Sequence, residues 1–409
     1  MWVLPAHAAR RLGAVVLHHS RMNFATTAVP NPLPATFLRG GTSKGIFLDK
    51  STLPADQAEW GPIFRGIMGS PDAEYGRQLN GMGGGVSSLS KIMVVSTPTP
   101  ERKAQGIDVE YTFVQVGIRD SGIDYSGNCG NLTSMIGVYA LDEGMCHRPL
   151  GSSSATIRCF NTNTQKIIDT TFPISDTGTP ILDLPQAAVA GVPGKASKIV
   201  LDFVNPGGAR TGKLLPTGQP VDQLKLPFSP TGSVRASLVD ATNPTVFVDY
   251  TELHKFLPMD DYFNGKPAAI QAVSPVLEDI RQQGAIKMNL DPTAQAQPKI
   301  AILSSPHTES DAAEKVNIVI HALSMGVLHK AVPMTAGLCL GVAARIEGSI
   351  AWDIMRKSSG SLGGDTDLVK IRHPGGLVDV GAEFGDGGEV KSAKVVRTGR
   401  RLMKGGVWY

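Results

Sequence analysis

One stretch of this chain could do chemistry by residue type and spacing alone: SGNCGN, Ser126 to Asn131, a lone cysteine between two Gly/Asn pairs. The apolar run LTSMIGVYAL follows at once, so the motif opens a predicted helix. The glycines let backbone N–H groups face open space, and Asn128 or a neighbour can cap the helix. A helix N-terminus favours negative charge, so a thiol at Cys129 is expected to have a lowered pKa, and the thiolate is the reactive form. The N–H groups around it, at Gly130 and Asn131, could also hold a substrate carboxylate. Such a site suits proton transfer at carbon beside a carboxylate. A small buried cysteine in a tight turn is the plainer reading, and the residues alone leave both open.

A second candidate is GMGGGVSSLSKIMVV, where a Gly/Ser-rich loop runs straight into an apolar strand with Lys91 at the junction. Partial desolvation there disfavours the ammonium and makes lysine a usable acid or base. The N–H and hydroxyl groups of Gly84, Gly85, Ser87 and Ser88 form a candidate anion nest. A surface lysine with a buried stem is the alternative. The loop is not GxxxxGK[ST], and no suitable GxGxxG opens a helix, so nucleotide readings fall away.

The elements that must position these groups repeat weakly. RGGTSKGIFLD (39–49) resembles VDATNPTVFVD (239–249) at a shift of 200, so that Thr42, Phe47 and Asp49 fall on Thr242, Phe247 and Asp249. SKIMVVSTP resembles PKIAILSSP at a shift of 208, and GVYALDEG resembles GVAARIEG at 204. Three matches in one order suggest two similar domains facing across a cleft. In each half a strand–turn–strand and a short buried strand are followed by a helix, NLTSMIGVYALDEG or GLCLGVAARIEGS. DVEYTFVQVGI reads as a half-exposed strand, and KIVLDFVNPGG and ASLVDATNPTVFVDY as strands of the second half. AEKVNIVIHALSMGVLHKA reads as an amphipathic helix carrying His321 and His329, and the tail EVKSAKVVRTGRRLMKGGVWY as final strands. The Pro/Gly/Ser-rich stretch around 173–197 is the best linker. The expected division is an extension at 1–30, a first domain at 31–195 and a second at 196–409. The last strands may thread back to the first domain in this scheme.

The repeat also informs the chemistry. At the shift of 204, Cys129 falls on Pro333 in VPMTAGLCL, so the second half offers a helix N-terminus (Thr335, Ala336, Gly337) without a thiol. Cys339 lies inside the predicted helix and reads as core. Inversion by two opposed thiols is therefore not expected. His147, His254, His307, His321, His329 and His373 are scattered without HxxxH or HExxH, and no metal site is expected. His329 and Lys330 could line the cleft before Pro333, although a satisfied histidine is the plainer reading.

The totals bound the rest. A chain of 409 residues suggests about two domains, and a net charge of +3 gives no reason to expect nucleic acid or a membrane surface. Four cysteines without CxxC suggest a reducing compartment, and no run approaches a membrane span. Residues 1–48 lack Asp and Glu but hold five basic residues. Residues 1–25 fit either a disordered extension, with a cytoplasmic protein, or a transit peptide, with a mitochondrial one.

FLRGGTSKGIFLD, GGGVSSLSK and GNCGN, in this order and spacing, resemble the 2-methylaconitate isomerase (PrpF) family from about Thr36 to the C-terminus. The resemblance implies an α/β (α+β) fold of two pseudo-symmetric diaminopimelate-epimerase-like domains. Each is a curved sheet wrapped around a central helix, with the active site in the cleft between them. It implies a cofactor-independent isomerase of unsaturated tricarboxylic or dicarboxylic acids, of the aconitate or 2-methylaconitate type. 4-Oxalomesaconate-type tautomerisation, 3-methylitaconate-type isomerisation and a non-catalytic carboxylate-binding role are the alternatives. Lys91 and Cys129 are the implied acid/base pair. Substrate contacts are expected at Arg39, Thr42, Ser43, Gly84, Gly85, Ser87, Ser88, Asn128, Gly130, Asn131, Met334 and Thr335. Arg39 could equally be a turn residue. PMTAG departs from the family's PxTGA, which leaves the contacts of Thr335 less defined. The expected partner is a small tri- or dicarboxylate, and a homodimer is left open.

Overall fold

The computed structural model describes residues 29–147, 150–227, 229–359 and 368–409, so the expectations for residues 1–28 lie outside the described residues. The strands are β1 (Leu33–Gly40), β2 (Ser43–Asp49), β3 (Lys91–Ser96), β4 (Val109–Val116), β5 (Ile123–Asp124), β6 (Ser154–Asn161), β7 (Lys166–Pro173), β8 (Ala187–Val189), β9 (Val192–Ala196) and β10 (Ile199–Val204). They continue as β11 (Asp222–Lys225), β12 (Ser233–Ala241), β13 (Asn243–Asp249), β14 (Lys299–Ser304), β15 (Ile318–Ser324), β16 (Val327–Leu328), β17 (Leu368–His373), β18 (Gly376–Phe384), β19 (Val390–Arg397) and β20 (Gly399–Val407). The helices are α1 (Trp60–Met68), α2 (Pro100–Ala104), α3 (Gly130–Thr133), α4 (Ile136–Asp142), α5 (Tyr250–Leu253), α6 (Met259–Phe263), α7 (Pro267–Lys287), α8 (Glu309–Ala313), α9 (Met334–Ala343) and α10 (Ile350–Ser359).

All strands but the β8–β9 hairpin join one 18-stranded sheet. Its main path is β20–β1–β2–β3–β4–β6–β7–β10, then across to β19–β18–β17–β15–β14–β13–β12–β11. The two halves of this path mirror each other about the β10–β19 pair. Even the parallel pairs match: β2 with β3 and β4 with β6 in one half, β13 with β14 and β15 with β17 in the other. The weak repeat in the sequence is thus a structural repeat. Its exact local echoes include Asp49 and Asp249, each capping the turn after its strand by accepting from the N–H two residues on. β10, read as a second-half strand, pairs with β7 of the first half, and β20 returns from the C-terminus to pair with β1.

Each sheet half curls around a central helix, α3–α4 in the first and α9 in the second. Alternation along the strands decides which side chains meet them. Leu38, Phe47, Met93, Val95, Tyr111 and Phe113 face inward, onto Leu132, Met135 and Ile136; Val369, Ile371, Ala393 and Val395 share the same core with Leu338 and Leu340. α9 is apolar on every face and buried from Ala336 to Ala343. Outward-facing Ile46, Leu48, Ile92 and Val94 pack beneath α1 with Trp60 and Phe64, and α7 covers the corresponding face of the second half. Burying such a side chain stabilises by roughly 1.5–3 kcal/mol. β4, read as half-exposed, alternates buried Val109, Tyr111 and Phe113 with half-buried Glu110 and Thr112, and its end also packs outward through Val114 and Val116.

One expected helix is absent. AEKVNIVIHALSMGVLHKA forms the β15–β16 hairpin instead, turned at Met325 and Gly326, which both take positive φ (53° and 73°). The run VNIVIHALS also alternates, with four β-branched residues, and a strand slot between β14 and β17 was there to be filled. Tertiary pairing outweighed the helical spacing of its apolar residues.

Candidate active site

Cys129 is the N-cap residue of α3, and Pro333 is the N-cap residue of α9. The repeat therefore places them at equivalent points, one with a thiol and one without. Each helix is tied to the hairpin turn of its own half by an equivalent threonine. Asn131 Nδ2 donates to Thr42 Oγ1 at 3.0 Å, and Thr242 Oγ1 donates to the Thr335 carbonyl at 2.9 Å. Asn128 does not cap α3 with its side chain. Its Oδ1 instead accepts from Tyr111 Oη (3.3 Å), Thr133 Oγ1 (3.1 Å) and Asn161 Nδ2 (3.4 Å), which fastens the loop to β4 and β6.

The inward phase of the strands brings the other groups to the same mouth of the barrel. Ser43 is four residues before inward Phe47 on β2, and Lys91 is two residues before inward Met93 on β3, so both share the inward phase. Ser43 is buried, and the Cys129 thiol donates to its Oγ at 3.7 Å. Lys91 is buried as well, directly across from Gln115 in the β3–β4 register. Its Nζ donates to the Ser87 carbonyl at 2.6 Å and to Gln115 Oε1, and sits 5.4 Å from the centre of the Phe113 ring. Burial pushes the Lys91 ammonium below its ordinary 10.5, and the nearby Cys129 pulls it partly back. Two of the ammonium's three N–H groups are thus engaged by the protein.

The Gly84–Ser88 loop contributes differently from expectation. The Gly85 N–H donates to Gln78 Oε1 at 3.0 Å, so it is spent inside the loop, and the contact to Lys91 comes from the Ser87 carbonyl. Gln78 is fully buried and also donates to Ser70 and Ser90, which makes it the pin of this loop. Arg39 shares the outward face of β1 with Phe37 and Ala35. Its Nη1 donates to the Gly41 carbonyl (2.9 Å) and to Thr398, so the guanidinium braces the turn.

Between the two helix N-termini lies a cavity of about 600 Å³, lined by Thr42, Asn131, Pro333, Met334, His329, His373 and Arg397, among others. The β8–β9 hairpin rims it. A Cβ placed on Gly191 at its tip would lie 3.4 Å from Thr42 in one half, and one placed on Gly376 of the other would lie 2.7 Å from Ala190. Gly130 of α3 and Met334 of α9 face each other directly across the cleft.

Arg397 is the residue that sequence reasoning missed. It follows inward-facing Ala393 and Val395 on β19, so it enters the cleft on the phase of the core. Nε donates to Asn131 Oδ1 at 3.0 Å and Nη1 to the Val396 carbonyl. Some of its surface reaches the cavity, yet protein crowds it on nearly every side, and burial pushes it down to about 10 against the pull of Cys129. Among the described residues no carboxylate pairs with it. A crowded guanidinium without an anion is an unfinished ion pair, suited to receive a carboxylate. The available signal was the alternation of AKVVR, whose inward phase ends on Arg397.

Comparison with known proteins adds an independent line. The family model described as PrpF protein matches residues 31–409. The chain is 34% identical to the 3-methylitaconate isomerase of Eubacterium barkeri, over 92% of this chain and 97% of that protein. It is 34% identical to the 2-methyl-aconitate isomerase of Shewanella oneidensis, over 91% and 95%. A crystal structure of methylitaconate-delta-isomerase superposes with a TM-score of 0.79 at 34% identity, covering 92% of this chain and 95% of that one.

Proposed function

Because the chain belongs to the PrpF family and is an isomerase of unsaturated carboxylic acids, we propose that it moves an allylic proton of an aconitate- or 2-methylaconitate-type acid between Lys91 and Cys129. The observation that carries this reading is the shared mouth of the barrel. Cys129 contacts Ser43 on β2, the desolvated Lys91 opens the neighbouring strand β3, and Arg397 donates to Asn131, two residues beyond the thiol.

The steps follow from that placement. Arg397 and the N–H groups at the head of α3 and α9 hold substrate carboxylates. One of Lys91 and Cys129 takes the proton from the carbon allylic to the double bond. The C–H electron pair delocalises through the alkene into the adjacent carboxylate, giving an enolate-like anion that the surrounding donors stabilise. The other group delivers a proton at the far end of the allyl system, which shifts the double bond. Return to the original carbon after rotation changes cis to trans instead. Substrate and product are isomers at one oxidation level, so the balance needs no redox partner. A 3-methylitaconate-type shift uses the same steps, and the full-length similarity to such an isomerase supports it as the second reading.

The test is proton NMR in D₂O with purified protein and a panel of aconitate- and itaconate-type acids. Deuterium entering one acid, together with a moved or inverted double bond, supports the reading and identifies the substrate. Tight binding without exchange in any acid would favour a carboxylate-binding protein instead.

A further inference from the structure

The second-half wall of the cavity carries two imidazoles that the mechanism above does not use. His373 follows Val369 and Ile371 on the inward phase of β17, and only 8% of its surface is exposed. Its Nδ1 accepts the Gly375 N–H at 3.0 Å. His329, just after β16, is held in the same way: its Nδ1 accepts the Ala331 N–H at 3.0 Å. A neutral imidazole that accepts at Nδ1 must carry its proton on Nε2. Both rings are therefore Nε2–H donors, and neither Nε2 has a protein partner among the described residues. Burial, then Arg397, then His329 push His373 down to about 4, so it is a neutral donor at ordinary pH.

The repeat shows that this is not simple loop support. β4 pairs with β6 at Val109 and Cys159, and β15 pairs with β17 at Ile318 and Ile371. Two residues on, His373 occupies the place of Asn161. Asn161 is fully buried and spends its amide on Asn128, Asn163 and Thr164. His373 satisfies one nitrogen locally and leaves the other to the cavity. The charges facing that space are Lys195, Lys198, Lys370 and Arg397 against Glu314 and Asp379, with Lys370 and Asp379 paired at 3.4 Å. Cations outnumber carboxylates two to one on these walls.

We propose that His373 and His329 form, with Arg397, a second carboxylate subsite that binds a carboxylate remote from the reacting carbons and so favours tricarboxylates over dicarboxylates. This rests on the isomerase reading and adds a specificity determinant to it.

Calorimetric titration tests it with two saturated acids that cannot be isomerised, propane-1,2,3-tricarboxylate and methylsuccinate. Wild type should bind the triacid more tightly. His373→Phe should weaken the triacid by about tenfold or more and the diacid by less than about threefold, as loss of one donor to a charged group requires. His373→Asn retains an acceptor for the Gly375 N–H and a donor for the ligand, and should restore most of the affinity. His329→Ala should act in the same direction and serves if His373→Phe does not fold. Unchanged triacid binding in the variants, or equal weakening of both acids, overturns the subsite. Wild type binding neither acid also overturns the subsite, while deuterium exchange measured by proton NMR decides separately whether the isomerase reading stands.

Discussion

Met334 of α9 presses its sulfur against the bare face of Gly130 of α3: a Cβ placed on Gly130 would lie 2.1 Å from Met334 Sδ. The two halves of the molecule thus touch at the heads of their central helices, one residue beyond Cys129 and one beyond Pro333. Gly130→Ala should force Met334 aside and widen the gap between the helix heads. We expect kcat/KM to fall by about tenfold or more, since small misplacements at a reacting centre carry such costs. Gly130→Ala combined with Met334→Ala should recover part of the loss, and steady-state kinetics on the two single variants and the double variant would show it. Additive losses would mean that this contact does not set the cleft.

Cys129→Ser and Lys91→Met should each lower turnover by at least ~10²–10⁴-fold, the usual contribution of a proton-transfer group. Both sit at the edge of the central core, where each substitution is close in size to the native side chain, so circular dichroism and thermal unfolding should remain close to wild type. Turnover near the wild-type rate in either variant would remove that residue from the assigned pair.

The pH dependence follows from the burial of Lys91. Its folded value lies below 10.5, so the amine form appears at lower pH than in a free lysine. A limb of kcat/KM that requires neutral Lys91 should rise with pH through a midpoint below 10.5. The stability consequence has the same sign: the unfolded chain binds the proton more tightly, so stability rises with pH across this window and is lost as pH falls through the folded value. Gln115→Met removes an acceptor that favours the ammonium and should move the limb to lower pH. A midpoint that stays put in this variant, or a limb that persists in Lys91→Met, would assign the titration to another group.

Arg397→Met should raise KM more than it lowers kcat, because the guanidinium holds a carboxylate present in both ground and transition states. A lost hydrogen bond to a charged group costs about 1.5–3 kcal/mol, which corresponds to roughly 10- to 150-fold in kcat/KM. Arg397→Lys should recover only part of this, since the fork that also reaches Asn131 Oδ1 is gone. A large fall in kcat at unchanged KM would point to a role in the chemical step.

Much of this was legible in the chain itself. SGNCGN before an apolar run located the thiol at a helix head, and SSLSKIMVV located the lysine at a strand entrance, because caps and strand phases are local properties. The three offset matches between the halves announced the repeat, and with it the pairing of Cys129 with Pro333. Other features had no local signature. Arg397 and His373 are ordinary polar residues at strand ends, and their importance comes from curling two sheet halves around two helices so that the inward phases end at one cavity. The turn from helix to hairpin in VNIVIHALSMGV was likewise decided by neighbours, since a strand between β14 and β17 satisfies backbone groups that a helix there would leave open. Short-range chemistry chose which residues could act, and only long-range packing chose which of them would meet.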